Sequence, residues 1–108
     1  MSVPLAHKYL HFIRSLEIKD SSFFLLAISE IGKPSTFGEI NKKIARETGL
    51  TFEASQQQRI RDKLIELGMI YSAKTEQRGR ITVHYYFLTE NGKRLVMALK
   101  KFLHELED

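Results

Sequence analysis

The 108-residue chain is 43% hydrophobic and 28% charged, a composition that suits one globular domain over residues 1–108 with a single modest core. Seventeen Lys and Arg against thirteen Asp and Glu leave a net charge of +4, which favours polyanions such as nucleic acid without identifying one. The absence of cysteine excludes disulfides, thiolate metal sites and thiol redox sensing. No signal peptide or membrane-length apolar run occurs, so a cytoplasmic location with no membrane partner is expected.

A first helix is predicted over residues 1–18, with Pro4 near its start. Leu5, Tyr9, Phe12 and Leu16 recur at four-, three- and four-residue spacing, a heptad-like stripe. His7 and His11 share one face of that helix and could ligate a metal. Without a third ligand they read as solvated residues, and no metal or cofactor is expected. Lys19-Asp20-Ser21-Ser22 then interrupts the pattern and offers caps for the next helix.

Residues 22–31 are apolar nearly all round, with Phe23, Phe24, Leu25, Leu26, Ala27, Ile28 and Ile31. Such a helix belongs at the centre of a core, and Gly32-Lys33-Pro34 ends it. Phe23 and Phe24 fit core packing better than an aromatic ligand pocket. Thr36-Phe37-Gly38-Glu39 has the pattern of a capping box. The helix it opens buries Ile40, Ile44 and Ala45 and stops at Gly49. Lys42, Lys43 and Arg46 lie on its outer side, where they either touch phosphate or solvate the face.

The next helix is predicted over residues 51–67, with Ile60, Leu64 and Leu67 on its inner face and Gly68 as its stop. Opposite those three stand Thr51, Ser55, Gln58 and Asp62, with Arg59 on the flank and Arg61 nearer the apolar edge. Short polar, amide and guanidinium groups are the side chains that hydrogen-bond base edges and phosphates in a major groove. Residues 69–75 and 80–88 alternate and are rich in Ile, Val, Thr, Tyr and Phe, and Glu76-Gln77-Arg78-Gly79 between them supplies turn chemistry. Lys74, Arg78 and Arg80 make the hairpin tip basic, a wing able to reach a phosphate strand or minor groove.

The last helix, residues 89–106, opens at Thr89 and carries Leu95, Leu99, Phe102 and Leu106 at four, three, four spacing, with Val96 and Leu103 widening the stripe. That apolar width asks for a partner. Either the terminal helices pack on each other within a monomer, or they interlock across a twofold axis. The homodimer is favoured, because a symmetric dimer doubles the phosphate contacts. The fold class that follows is mainly α with a small β-hairpin (α+β). It is a winged helix-turn-helix core over residues 21–88 with additional N- and C-terminal helices.

The run from Ser55 through Gln56, Gln58, Arg59 and Leu67 to Gly68-Met69-Ile70 resembles the recognition-helix pattern of MarR- and PadR-type winged-helix regulators. Leu88-Thr89-Glu90-Asn91-Gly92 is similar to that family's Leu-Thr-x-x-Gly entry to the final helix. The resemblance covers roughly residues 21–106. It implies a dimeric transcription regulator on duplex DNA, with Ser55, Gln56, Gln58 and Arg59 in base-reading positions and Arg78 or Arg80 in the wing. It also leaves room for a small-molecule effector of unknown identity. Gln57 departs from the pattern, standing where the family usually has an apolar residue. The segment 49–59 is about two residues longer than usual.

The expected function is sequence-specific double-stranded DNA binding and transcription regulation. Arg59 would bind guanine bidentately and Gln58 adenine, while Lys42, Lys43 and Arg61 contact phosphate. The alternative is a winged-helix protein-interaction module in a larger assembly. An enzyme is not expected, because no nucleophile elbow, Gly-rich phosphate loop or metal-binding spacing occurs. His84, in mid-strand, reads as a packed or surface residue rather than a general base. Tyr71, Tyr85 and Tyr86 read as core or sheet residues, so no platform for stacking RNA bases is expected.

Overall fold

The computed structural model describes residues 18–107. The expected N-terminal helix, with Leu5, Tyr9, Phe12 and Leu16 and the pair His7 and His11, lies outside the described residues. Within them the order is α1 (Ile18–Ile31), α2 (Phe37–Thr48), α3 (Ala54–Glu66), β1 (Ile70–Arg78), β2 (Ile81–Leu88) and α4 (Glu90–Glu107). Four helices and one antiparallel hairpin give the α+β winged-helix architecture that the sequence predicts.

The apolar helix α1 is the hub, in contact with α2, α3, β2 and α4. Phe24, Leu25, Ala27 and Ile28 are buried in it. The stretch Lys19-Asp20-Ser21-Ser22, expected as a break, is helical instead. Local capping preference is a weak force, and the packing of the residues that follow overrides it. Helix α2 takes the threonine half of the expected capping box: Thr36 Oγ1 accepts the Glu39 N–H at 3.1 Å. Ile40 and Ile44 face the core, and the Gly49 N–H donates to the Ala45 carbonyl at the far end.

An aromatic cluster ties the helix-turn-helix to the sheet. The Phe24 ring lies 5.3 Å from Phe37, at the start of α2, and 5.1 Å from Phe52, in the α2–α3 connection. Phe37 in turn meets Tyr86 of β2 edge-on at 5.2 Å. Each such pair contributes about 0.5–1.5 kcal/mol beyond its buried area. The cluster also explains where α3 begins. With Phe52 turned into the core, Thr51 lies outside the helix, and the Glu53 N–H donates to Gln56 Oε1 at 3.0 Å in a capping box. The helix therefore starts at Ala54, three residues later than expected.

Ile60 and Leu64 of α3 are buried as expected, but Leu67 is 54% exposed. It sits at the C-cap, one residue past the last helical position and beyond the core-facing stripe. Gly68 at φ +72° closes a Schellman motif, its N–H donating to the Ile65 carbonyl and that of Met69 to Leu64.

The hairpin is longer than expected. Glu76, Gln77 and Arg78 are strand residues, and the turn is the two-residue Gly79-Arg80. Gly79 at φ +62° takes the first central position while Arg80 keeps a negative φ, the pattern of a II′ turn whose twist matches the strands. The ladder shifts register between Ser72 and Lys74, leaving Ala73 as a bulge. Ser35, fully buried, adds a third partner to the sheet by exchanging both backbone hydrogen bonds with Tyr86. Ile70, Tyr86 and Leu88 anchor the hairpin base in the core.

Helix α4 opens as expected. Thr89 Oγ1 accepts the Gly92 N–H at 3.0 Å and donates to the Gly68 carbonyl. Val96 is buried, Leu95 and Leu103 are exposed, and Leu99, Phe102 and Leu106 are half-buried.

Candidate nucleic-acid interface

The outer side of α3 gathers most of the residues singled out from the sequence. Ser55, Gln58, Arg59 and Asp62, with Lys63 and Glu66, line one shallow depression of about 400 Å³. Their spacing of three and four residues sets them along one face. Lys63 and Glu66 extend the expected set by a turn, which the same helical periodicity would have shown had it been carried past Asp62. Gln56 is engaged differently: its carbonyl is turned back onto the Glu53 N–H at the helix start. Gln57 donates its amide to the Phe52 carbonyl at 2.7 Å. The departure at position 57 therefore has a structural task, satisfying a connection carbonyl ahead of the helix.

The cations flanking this face are held to different degrees. Arg61 is half-buried, and its Nε donates to Asp62 at 3.1 Å. Lys42 is exposed on α2. Its neighbour Lys43 instead bridges Glu47 at 2.6 Å and Glu30 of α1 at 3.2 Å, with only 16% of its side chain exposed. Hydrogen bonds to Glu47 and then Glu30 push its ammonium above the usual lysine value. Lys43 is thus a tie between α1 and α2.

The wing carries a polar network that sequence reading missed. Arg78 donates through Nε to Glu76 at 3.0 Å and through Nη2 to the Tyr85 hydroxyl at 3.1 Å. That hydroxyl donates to the other Glu76 oxygen at 2.9 Å. The Arg78 guanidinium, and next the Tyr85 hydroxyl, hold the Glu76 carboxyl below its usual range, and Glu76 pushes the Tyr85 phenol up. Lys74 Nζ stands 5.1 Å over the Tyr85 ring. Arg80 is exposed in the turn. On the other side of the hairpin, His84 Nδ1 lies 3.1 Å from Ser72 Oγ, and Thr82 donates to Gln77. Only recognition that Glu76 and Arg78 belong to a strand would have revealed the network, because that pairing puts both beside Tyr85.

A helix-turn-helix whose second helix runs through a tight glycine exit into a two-stranded wing is the winged-helix class of fold. Among solved structures the chain is similar to a PadR family transcriptional regulator from Eggerthella lenta DSM 2243, at 22% identity over 94% of this chain and 89% of that one, with a TM-score of 0.65. It is similar also to a PadR-like transcription factor from Bacteroides fragilis, at 16% identity over 84% and 89% of the two chains, with a TM-score of 0.66. A candidate transcriptional regulator from Thermoplasma acidophilum shares 17% identity over 84% and 93%, with a TM-score of 0.64. At these identities the likeness is one of fold, and the expected resemblance to PadR-type winged helices is met at that level. No family model matches the sequence, and no curated protein matches it. Among the described residues no helix is long and apolar enough to cross a membrane.

Proposed function

We propose that the chain is a sequence-specific double-stranded DNA-binding protein that regulates transcription, with α3 in the major groove and the β1–β2 wing on the flanking backbone or minor groove. The observation that carries this reading is the exposed line of Ser55, Gln58, Arg59 and Asp62 along one side of α3. A helix that lines a depression with amide, guanidinium and hydroxyl groups offers the donors and acceptors that base edges match. The transcription regulators similar in fold support the same reading.

In this reading Arg59 binds guanine and Gln58 adenine, each adding about 1–3 kcal/mol of discrimination. Ser55 contacts a base or phosphate, and Asp62 accepts from a cytosine amino group. Gln56 acts by fixing the start of the helix. Lys42, Arg61, Lys74, Arg78 and Arg80 neutralise phosphates, and Lys43 contributes less because Glu30 and Glu47 already occupy it. The chain forms a homodimer through Leu95, Leu99, Phe102 and Leu106 of α4 together with Leu5, Tyr9, Phe12 and Leu16. Two recognition helices then enter the groove about one helical turn apart, on a near-palindromic site.

The test is a titration against random-sequence duplex DNA at several salt concentrations, with Arg59→Ala and Arg78→Ala alongside. Affinity should fall steeply with salt, and Arg78→Ala should weaken binding to every sequence alike. In a site-selection experiment Arg59→Ala should relax the preference at one base position. Absence of binding at low salt, with both variants indistinguishable from wild type, overturns the reading in favour of a protein-interaction module.

A further inference from the structure

We propose that the outward face of the wing is a second nucleic-acid site, a platform that binds single strands by stacking bases on Tyr71 and Tyr85. Lys74, Arg78 and Lys93 would hold the phosphates. The bulge assembles this face. Tyr71 and Lys74 are three residues apart, so in a regular strand they would point to opposite sides. The extra residue at Ala73 restores them to one side, where the register pairs Tyr71 with Phe87, Lys74 with Tyr85 and Arg78 with Ile81. Ile70, Tyr86 and Leu88 take the opposite face into the core; on this one Phe87 is half-buried against the core and Tyr85 half-buried, while Tyr71 and Lys74 are exposed.

The side chains there are unusual for a sheet surface. Tyr71 is 46% exposed and Ile81 68% exposed. Lys74 lies over the Tyr85 ring, and Lys93 of α4 stands 5.6 Å from the centre of the Phe87 ring. Rings beside cations suit a ligand that is both a polyanion and a bearer of open π-faces. Lys74, Arg78 and Lys93 stand against two carboxylates, Glu76 beside Arg78 and Glu90 beside Lys93, which leaves the face cationic. Duplex DNA hides its base faces in the stack, whereas an unpaired strand presents them. This inference does not rest on the duplex reading: Lys74 and Arg78 are common to both, while Tyr71 and Tyr85 serve this one alone.

The chain has four tyrosines and no tryptophan, so tyrosine emission reports ring stacking directly. The full chain is titrated with short oligo-dT and oligo-U, followed by emission and by anisotropy of labelled oligonucleotide, with inorganic polyphosphate as a competitor that has charge and no bases. Both oligonucleotides should quench emission, and polyphosphate should compete poorly. Tyr71→Ala should weaken oligonucleotide binding roughly 5- to 150-fold, while Tyr71→Phe retains it. Lys74→Gln, at an exposed position, should weaken it without altering the thermal melt. Equal binding of oligo-dT and oligo-U supports stacking alone, and tighter oligo-U supports a platform for RNA. Tyr71→Ala should leave duplex binding unchanged, and Arg59→Ala should leave oligonucleotide binding unchanged. The inference is overturned if emission is unaffected, if polyphosphate competes as well as the oligonucleotides, or if Tyr71→Ala binds as tightly as wild type. A protein occupant of this face would give the first of those results.

Discussion

Gly92 of α4 lies against the Met69 carbonyl oxygen so closely that a Cβ placed on it would come within 2.0 Å of that oxygen. The same carbonyl accepts the Thr89 N–H at 3.0 Å, so the turn after α3 and the start of α4 are locked together through one peptide group. This contact gives the Leu-Thr-x-x-Gly pattern its physical meaning: the threonine caps the helix, and the glycine lets its first turn approach the backbone ahead of β1.

Gly92→Ala should therefore force the helix start away from Met69. The backbone oxygen cannot rotate aside, so the cost is that of overpacking, about 1–3 kcal/mol. Thermal unfolding followed by circular dichroism should show a lower midpoint by several degrees. A midpoint equal to that of wild type would mean that the two segments are not locked in solution.

Lys43 should stabilise the α1–α2 pairing in a pH-dependent way. Its ammonium is raised above 10.5 by Glu47 and then Glu30, so the folded state holds its proton more tightly than the unfolded chain. The contribution is complete below pH 10.5 and is lost as pH rises through the higher folded value. Urea midpoints of Lys43→Met and wild type should differ at neutral pH and converge well above pH 10.5. A constant gap across that range would assign the effect to packing of the lysine stem.

Glu76 should restrain the wing as a nucleic-acid contact. Its carboxylate occupies the Arg78 guanidinium, and a phosphate must displace it. Glu76→Gln should tighten non-specific duplex binding and steepen its salt dependence. The depressed Glu76 pKa means that the pairing is intact above pH 4.5 and is lost as pH falls through the lower folded value. Weaker binding by the glutamine variant would show instead that Glu76 orients Arg78 for its target.

The apolar stripe of α4 should control self-association. Leu95 is 36% exposed and Leu99 half-buried, and placing a carboxylate between two such faces leaves it without water or a partner. Leu95→Glu should shift sedimentation from dimer toward monomer and weaken binding to a near-palindromic site while keeping the thermal melt cooperative. A dimer of unchanged mass would place the contact elsewhere, and a wild type that sediments as a monomer would overturn the dimer.

Much of the fold is written in local pattern. The apolar run Phe23 to Ile28, the Thr36 and Thr89 caps, the Gly68 exit and the alternation through the hairpin each act within one or two turns of chain, so periodicity and capping chemistry determine them without reference to the rest of the molecule. The line of Ser55, Gln58, Arg59 and Asp62 is legible for the same reason, since helical spacing alone sets residues on a common face. Other features depend on contacts between distant segments, and these only the tertiary structure decided. Phe52 joins the Phe24 and Phe37 rings, and that delays the start of α3. Ser35 pairs with Tyr86 across 51 positions. Lys43 reaches Glu30 on another helix, and the bulge at Ala73 turns Tyr71 onto the side of Lys74. A one-residue shift in a ladder reverses every facing beyond it, and no local preference of Ala73 announces that shift; it is settled by where Ile70, Tyr86 and Leu88 must sit to reach the core.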